Sequence, residues 1–170
     1  MPVTNLTRIL ETITQNAHKV KNPVDLADCV RQQLGRDILE RFLSDDGKVA
    51  AMVLDPRLES KLRDGVHDRT LSLLPGPLEQ LIGRLNEQWQ KATVDGRDIV
   101  LLTDGTLRRP LRQAIGRALP EMSVVAYHEI PNDVLINFQH MLKLEDVFAD
   151  VTTSDTSFQQ TTEKELVTTA

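Results

Sequence analysis

Ile99-Val100-Leu101-Leu102 stands between Asp98 and Thr103-Asp104-Gly105, a short run with no polar residue on either face. A strand of that kind is buried on both sides, which happens inside a sheet covered by helices above and below. Beyond Gly105 the period changes. From Thr106 to Leu119 the apolar residues Leu107, Leu111, Ala114, Ile115 and Ala118 recur at helical spacing, with Arg108, Arg112 and Arg117 on the outward side. Pro110 is expected in the first turn of this helix, because deeper in it the missing N–H and the ring clash would cost about 3 kcal/mol. Pro120 ends the helix. Ser123 to Ile130 reads as a second strand halted by Pro131-Asn132, and Val134 to Phe138 as a last one.

Working back from Ile99, Lys48 to Leu54 is a short apolar run bounded by Gly47 and Asp55-Pro56, which suits another strand. Asp55-Pro56 opens a helix carrying Leu58 and Leu62. Residues 63–74 carry no clear period, and Pro75-Gly76-Pro77 reads as a break. Leu78, Leu81, Ile82, Leu85 and Trp89 then mark an amphipathic helix to about Ala92, with Trp89 expected in the core. The first third is helical throughout: Leu6, Ile9, Leu10 and Ile13 predict a helix over 5–18, and Asn22-Pro23 opens the next. Gly35 interrupts that pattern before Ile38, Leu39, Phe42 and Leu43, so the stretch is two helices or one bent at Gly35.

The predicted fold is therefore mixed α/β: a helical unit over 1–46, then a small α/β unit over 47–142 with a roughly four-stranded sheet. Residues 143–170 form a polar, acidic tail with no sustained apolar period, expected to be disordered apart from one helical turn through Leu144, Val147 and Phe148.

Composition narrows the function classes. The net charge is -5, and from Glu145 onward there are six acids against one base, so residues 1–144 are neutral overall and lack the basic excess of a nucleic-acid binder. No apolar run approaches the roughly 20 residues that span a bilayer. The start, Met1-Pro2-Val3-Thr4, has neither basic nor apolar signal regions, so the segment is expected to fold in the cytoplasm. Cys29, the single cysteine, excludes an internal disulfide and a cysteine-built zinc site, and reads as an apolar helix residue.

Spacing also argues against catalysis. The strand-to-helix turns Asp55-Pro56 and Asp104-Gly105-Thr106 lack the clustered glycines that cradle a phosphate. His18, His67, His128 and His140 are at least twelve positions apart, whereas a zinc-hydrolase helix places two histidines four apart. No nucleophile turn is present. Asp55, Glu59, Asp98 and Asp104 would have to cluster at strand ends to build a phospho-acceptor; as helix caps and turn residues they need no such role. His128 and Glu129, as strand neighbours, face opposite ways and form no catalytic pair.

Arg108-Arg109-Pro110-Leu111-Arg112 is unusual, because positive charge at a helix start opposes the dipole. A carboxylate in the same chain or a neighbour would resolve that conflict. Tyr127 and Glu129 alternate with Ala126 and His128 and lead into Ile130-Pro131, where the proline stiffens a sheet edge.

Val30-Arg31-Gln32-Gln33-Leu34-Gly35-Arg36-Asp37-Ile38, Val53-Leu54-Asp55-Pro56 with Leu58-Glu59, Val100-Leu101-Leu102-Thr103, Leu107-Arg108-Arg109-Pro110-Leu111-Arg112, Leu119-Pro120 and Tyr127-His128-Glu129-Ile130-Pro131 occur in that order. Together they resemble the cytoplasmic C-terminal domain of the FHIPEP family, the major export-gate proteins of flagella and injectisomes (FlhA/LcrD type). The chain departs from the family pattern at Ala126, where a serine is usual, and at His140, where a glycine is usual; Ile130-Pro131-Asn132-Asp133-Val134 points toward the injectisome branch.

The resemblance implies the last two subdomains of a four-subdomain cytoplasmic half, at the cytoplasmic face of the bacterial inner membrane, whose membrane half lies outside this sequence. It implies no enzyme activity, cofactor or metal. The helical unit would build a ring, nonameric in the full-length protein, and the α/β unit would face the ATPase stalk. Secretion chaperones, substrates and a gatekeeper protein are the further partners implied. Arg108, Arg109, Arg112, Tyr127, Glu129 and Pro131 are the candidate protein-interaction residues, and Gly35, Arg36, Asp55 and Pro56 the structural motif. A separately translated regulatory adaptor of the apparatus, or a small phospho-receiver-like protein using Asp55, Asp98 and Asp104, are the alternatives.

Overall fold

Asn22-Pro23 starts a helix as its chemistry dictates: the Asn22 side chain accepts the Val24 N–H at 2.8 Å, and proline fills the first helical position. The structure, a computed structural model, describes residues 5–94 and 96–148. The N-terminal third comprises α1 (Asn5–Asn16), α2 (Pro23–Gln33), α3 (Gly35–Leu39) and a 3-10 turn (Glu40–Phe42). Two helices therefore meet at Leu34, beside the glycine that interrupts the sequence pattern.

The α/β part comprises β1 (Lys48–Leu54), α4 (Pro56–Asp64), a hairpin of β2 (Val66–His67) and β3 (Thr70–Leu71), α5 (Pro75–Val94), β4 (Ile99–Thr103), α6 (Gly105–Ile115), β5 (Ser123–Ala126), a second 3-10 turn (Tyr127–Glu129), β6 (Leu135–Leu142) and α7 (Leu144–Val147). Four strands form one parallel sheet in the order β5-β4-β1-β6. Register is regular between β1 and β4, whereas along β6 it slips between Ala51↔Phe138 and Met52↔His140, leaving Gln139 as an extra residue in a bulge.

Two apolar layers sandwich the sheet. Met52, Leu54, Ile99, Leu101 and Val124 face Leu58, Leu62, Leu81, Leu85, Leu107, Leu111, Ile115 and Val147 of the helices α4 to α7. Trp89 packs half-buried against that layer. The opposite face, Val49, Ala51, Val53, Val100, Leu102 and Val125, is covered by Leu39, Phe42 and Val134. Leu39 and Phe42 belong to the helical third, so its last turns supply one layer of the α/β core.

Several local expectations are corrected. Pro75-Gly76-Pro77 is the first turn of α5 rather than a break, because the opening N–H groups of a helix have no internal acceptor and prolines there lose nothing. Pro110 lies past the first turn of α6, which begins at Gly105; its buried ring offsets the lost hydrogen bond. That helix stops at Ile115 instead of Leu119. Residues 66–71 form a hairpin whose tight turn holds Asp68 and Arg69 at positive φ. The strand expected to Ile130 ends at Ala126, since Tyr127–Glu129 curls into a 3-10 turn. One helical turn does succeed β6, with Asp146 accepting the Lys143 N–H at 2.9 Å; residues 149–170 of the expected tail lie outside the described residues.

Candidate protein-docking site

Glu129 is the centre of the assembly, 1% exposed although charged. The curl after β5 folds its side chain back, so that Oε2 accepts the Ala126 N–H at 3.1 Å. Arg31 of α2 donates to both oxygens, Nε to Oε1 at 2.8 Å and Nη2 to Oε2 at 3.2 Å. Arg108 of α6 places Nε 3.3 Å from Oε1 and turns Nη2 to Asp28 of α2. Asp28, Arg108, Glu129 and Arg31 thus form one alternating charge network, and it bolts α2 to the sheet and to α6. A buried carboxylate is tolerated only with such partners.

Gly35 completes the joint. A Cβ at that position would stand 1.9 Å from the Glu129 carbonyl oxygen, so the α2–α3 break passes directly against the curl.

The arginines of the Arg108–Arg112 segment divide accordingly. Arg108, expected outward, is 9% exposed because two carboxylates of the same chain resolve its conflict with the helix dipole. Arg112 is half-buried and donates to the Leu119 and Pro120 carbonyls at 3.4 and 2.9 Å, closing the loop after α6. Arg109 pairs with no described carboxylate and lines a groove of about 590 Å³ with Asp25, Asp28, Arg69, Thr106 and His128.

Tyr127 is partly exposed and leaves the sheet edge with the curl; its hydroxyl approaches Glu59 Oε1 at 3.5 Å. Burial, the Glu59 charge and that contact push its phenol up to about 12. Pro131, half-buried, lines a shallow depression with Arg36, which pairs with Asp133. Asp55 accepts the Arg57 N–H at 2.8 Å as the cap of α4, with Pro56 at the first helical position, and its own N–H binds the Leu142 carbonyl at 2.8 Å.

The acidic residues do not build a phospho-acceptor. Asp104 caps α6 by accepting the Thr106 N–H at 2.8 Å, and hydrogen bonds from Thr106 hold its carboxyl below the usual range. Glu59 accepts the Asp104 N–H at 3.1 Å. Asp98 precedes β4, at the opposite end of the strand from Asp104, so the three aspartates never converge. Among the described residues no group of three or more His, Cys, Asp or Glu side chains could hold a metal ion, and no helix is long and apolar enough to cross a membrane.

Sequence reasoning missed that Arg31, Asp28 and Glu129 belong to one site. Arg31 and Glu129 both stand in the ordered motif segments, and the unmatched positive charge at the α6 start was the one signal that a carboxylate had to be near.

Residues 1–135 match the FHIPEP family. The flagellar biosynthesis protein FlhA of Buchnera aphidicola is 28% identical over 130 residues, 76% of this chain and 19% of that protein. FlhA of Helicobacter pylori is 31% identical over 139 residues, 78% of this chain and again 19% of that protein. The chain spans about a fifth of these relatives. In structure it is similar to the Shigella flexneri MxiA protein, with a TM-score of 0.71, 22% identity, and coverage of 84% of this chain and 46% of that one. It is also similar to the nonameric EscV cytosolic domain of a type III secretion system, at a TM-score of 0.66 and 27% identity over 82% of this chain and 42% of that one. A complex of the Chlamydia pneumoniae CdsV and CdsO proteins contains a third such fold, at 0.66 and 24% identity over 83% of this chain and 43% of that one.

Proposed function

The chain belongs to the FHIPEP family, and we propose that it is the terminal part of the cytoplasmic half of a type III secretion export gate, a non-enzymatic domain that assembles into a ring and receives protein partners. The observation that carries this is the family match over residues 1–135, on a fold shared with a nonameric cytosolic domain at 27% identity. Self-association in nines is the assembly of that relative, and CdsO bound to CdsV gives a precedent for a secretion-associated partner. Chaperones, export substrates, a gatekeeper and the ATPase stalk are the partners this role calls for, at the cytoplasmic face of the inner membrane. A scaffold of this kind needs rigid placement of one surface against another, and the network around Glu129 supplies it by fixing the helical third against the sheet.

The test uses the full-length protein in its own bacterium. Deleting its gene should abolish export through the secretion apparatus, and native mass spectrometry of the purified cytosolic half should give a nine-membered assembly at high concentration. Normal export in the deletion strain, or a cytosolic half that stays monomeric at every concentration, would sink the reading.

A further inference from the structure

Among the described strands β5 is an outer one, paired with β4 alone. Because successive residues of a strand alternate sides, the Ala126 N–H that turns away to Glu129 marks the outer edge, and Val124, two residues earlier and 5% exposed, is the residue whose N–H and C=O lie along it. Beside that edge runs a groove of about 410 Å³, floored by Val124 and Val125 and lined by Arg31, Arg41, Arg108 and Arg112.

Four guanidinium groups converge there with unequal commitments. Arg31 and Arg108 are held by Glu129. Among the described residues Arg41 and Arg112 meet no carboxylate: Arg41 donates to Ser123 Oγ at 2.5 Å and lies over the Phe42 ring at 4.5 Å, and Arg112 donates to the Leu119 and Pro120 carbonyls. Asp37, the carboxylate that lines the groove, is taken by Arg8 at 3.3 Å. Asn5, only 9% exposed, also lines the groove, and its side chain hydrogen-bonds to no described residue. An edge with no described strand beside it, flanked by two cations without a described carboxylate, is matched by one chemistry, an extended backbone carrying acidic side chains.

Resting on the export-gate reading, in which the domain receives protein partners, we propose that this groove takes an extended acidic segment of a partner protein, which adds a strand to β5 and sets carboxylates against Arg41 and Arg112. The main-chain bonds along Val124 supply attachment, and the arginine forks select for charge.

The experiment is fluorescence anisotropy of the full chain with three labelled peptides: alternating Glu-Val, the same peptide methylated on alternate backbone nitrogens, and alternating Lys-Val. The first should bind one to one and the third should not bind. Backbone methylation, by removing main-chain hydrogen bonds, and separately Arg41→Glu in the protein, by reversing one charge, should each weaken binding about tenfold. Arg41 is exposed and lies outside the Glu129 network, so the variant's melting curve should be unchanged. Equal binding of the methylated peptide would mean diffuse charge attraction, and equal binding to the variant would mean another surface; either overturns the proposal, as does no binding. If the peptide binds only after residues 149–170 are removed, the occupant is the chain's own acidic end and the partner assignment falls. A gate that exports and assembles normally while its groove ignores acidic peptides removes this inference and leaves the export-gate reading standing.

Discussion

Arg31 and Glu129, 98 positions apart in sequence, meet through two contacts of 2.8 and 3.2 Å, one to each carboxylate oxygen. The pair joins α2 to the turn after β5, with the carboxylate side chain fully buried. Replacing Glu129 by Gln keeps the shape but removes the charge that neutralises Arg108, itself almost buried. A loss of about 3–5 kcal/mol in urea unfolding is expected, as for a buried pair stripped of one partner. A loss under about 1 kcal/mol would show that Asp28 alone satisfies Arg108.

Gly35→Ala should destabilise through geometry rather than propensity. The new methyl would overlap the Glu129 carbonyl oxygen, which is backbone and cannot swing aside. Thermal melting followed by circular dichroism should show a cost of at least about 2 kcal/mol, within the range for overpacking, whereas Gly83→Ala, which meets nothing within 4 Å, should be neutral or slightly stabilising. Equal behaviour of the two variants would remove the close-approach argument.

Arg108 and Arg109 are neighbours with opposite expected phenotypes. Arg108→Glu puts a second carboxylate beside buried Glu129 and Asp28, so the domain should unfold or lose several kcal/mol. Arg109→Glu changes a groove residue without a described carboxylate partner and should stay within about 0.5 kcal/mol in denaturant melts. Loss of export with Arg109→Glu at unchanged stability would assign Arg109 to docking; export intact would leave it as solvated charge.

Tyr127, the single tyrosine, offers a clean titration. Absorbance near the phenolate band should give a midpoint of about 12 in the folded chain, against roughly 10 in the unfolded one. Since the folded value is the higher, the stability Tyr127 contributes is full below about 10 and is lost as pH rises toward 12. Glu59→Gln should bring the folded midpoint down, because it removes the nearby negative charge. An unshifted midpoint in the wild-type chain would refute the Tyr127–Glu59 contact.

The alternation of local signals carried the architecture. Lys48–Leu54 and Ile99–Thr103 are legible as strands because a short apolar run between turn residues can hardly be anything else, and Asn22, Asp55 and Asp104 are legible as caps because their side chains act on N–H groups two residues away. Such interactions are local, so sequence contains both partners side by side. The site was legible only in part: the family order singled out Gly35, Arg108 and Glu129 without saying that they touch. Only the tertiary structure decided that Glu129 curls off the strand into the core, that Arg108 turns inward while Arg109 does not, and that Gly35 sits against the Glu129 carbonyl. The energies that fix these choices come from burying charge against charge across some 80 to 98 positions of chain, and no local period encodes a partner that far away.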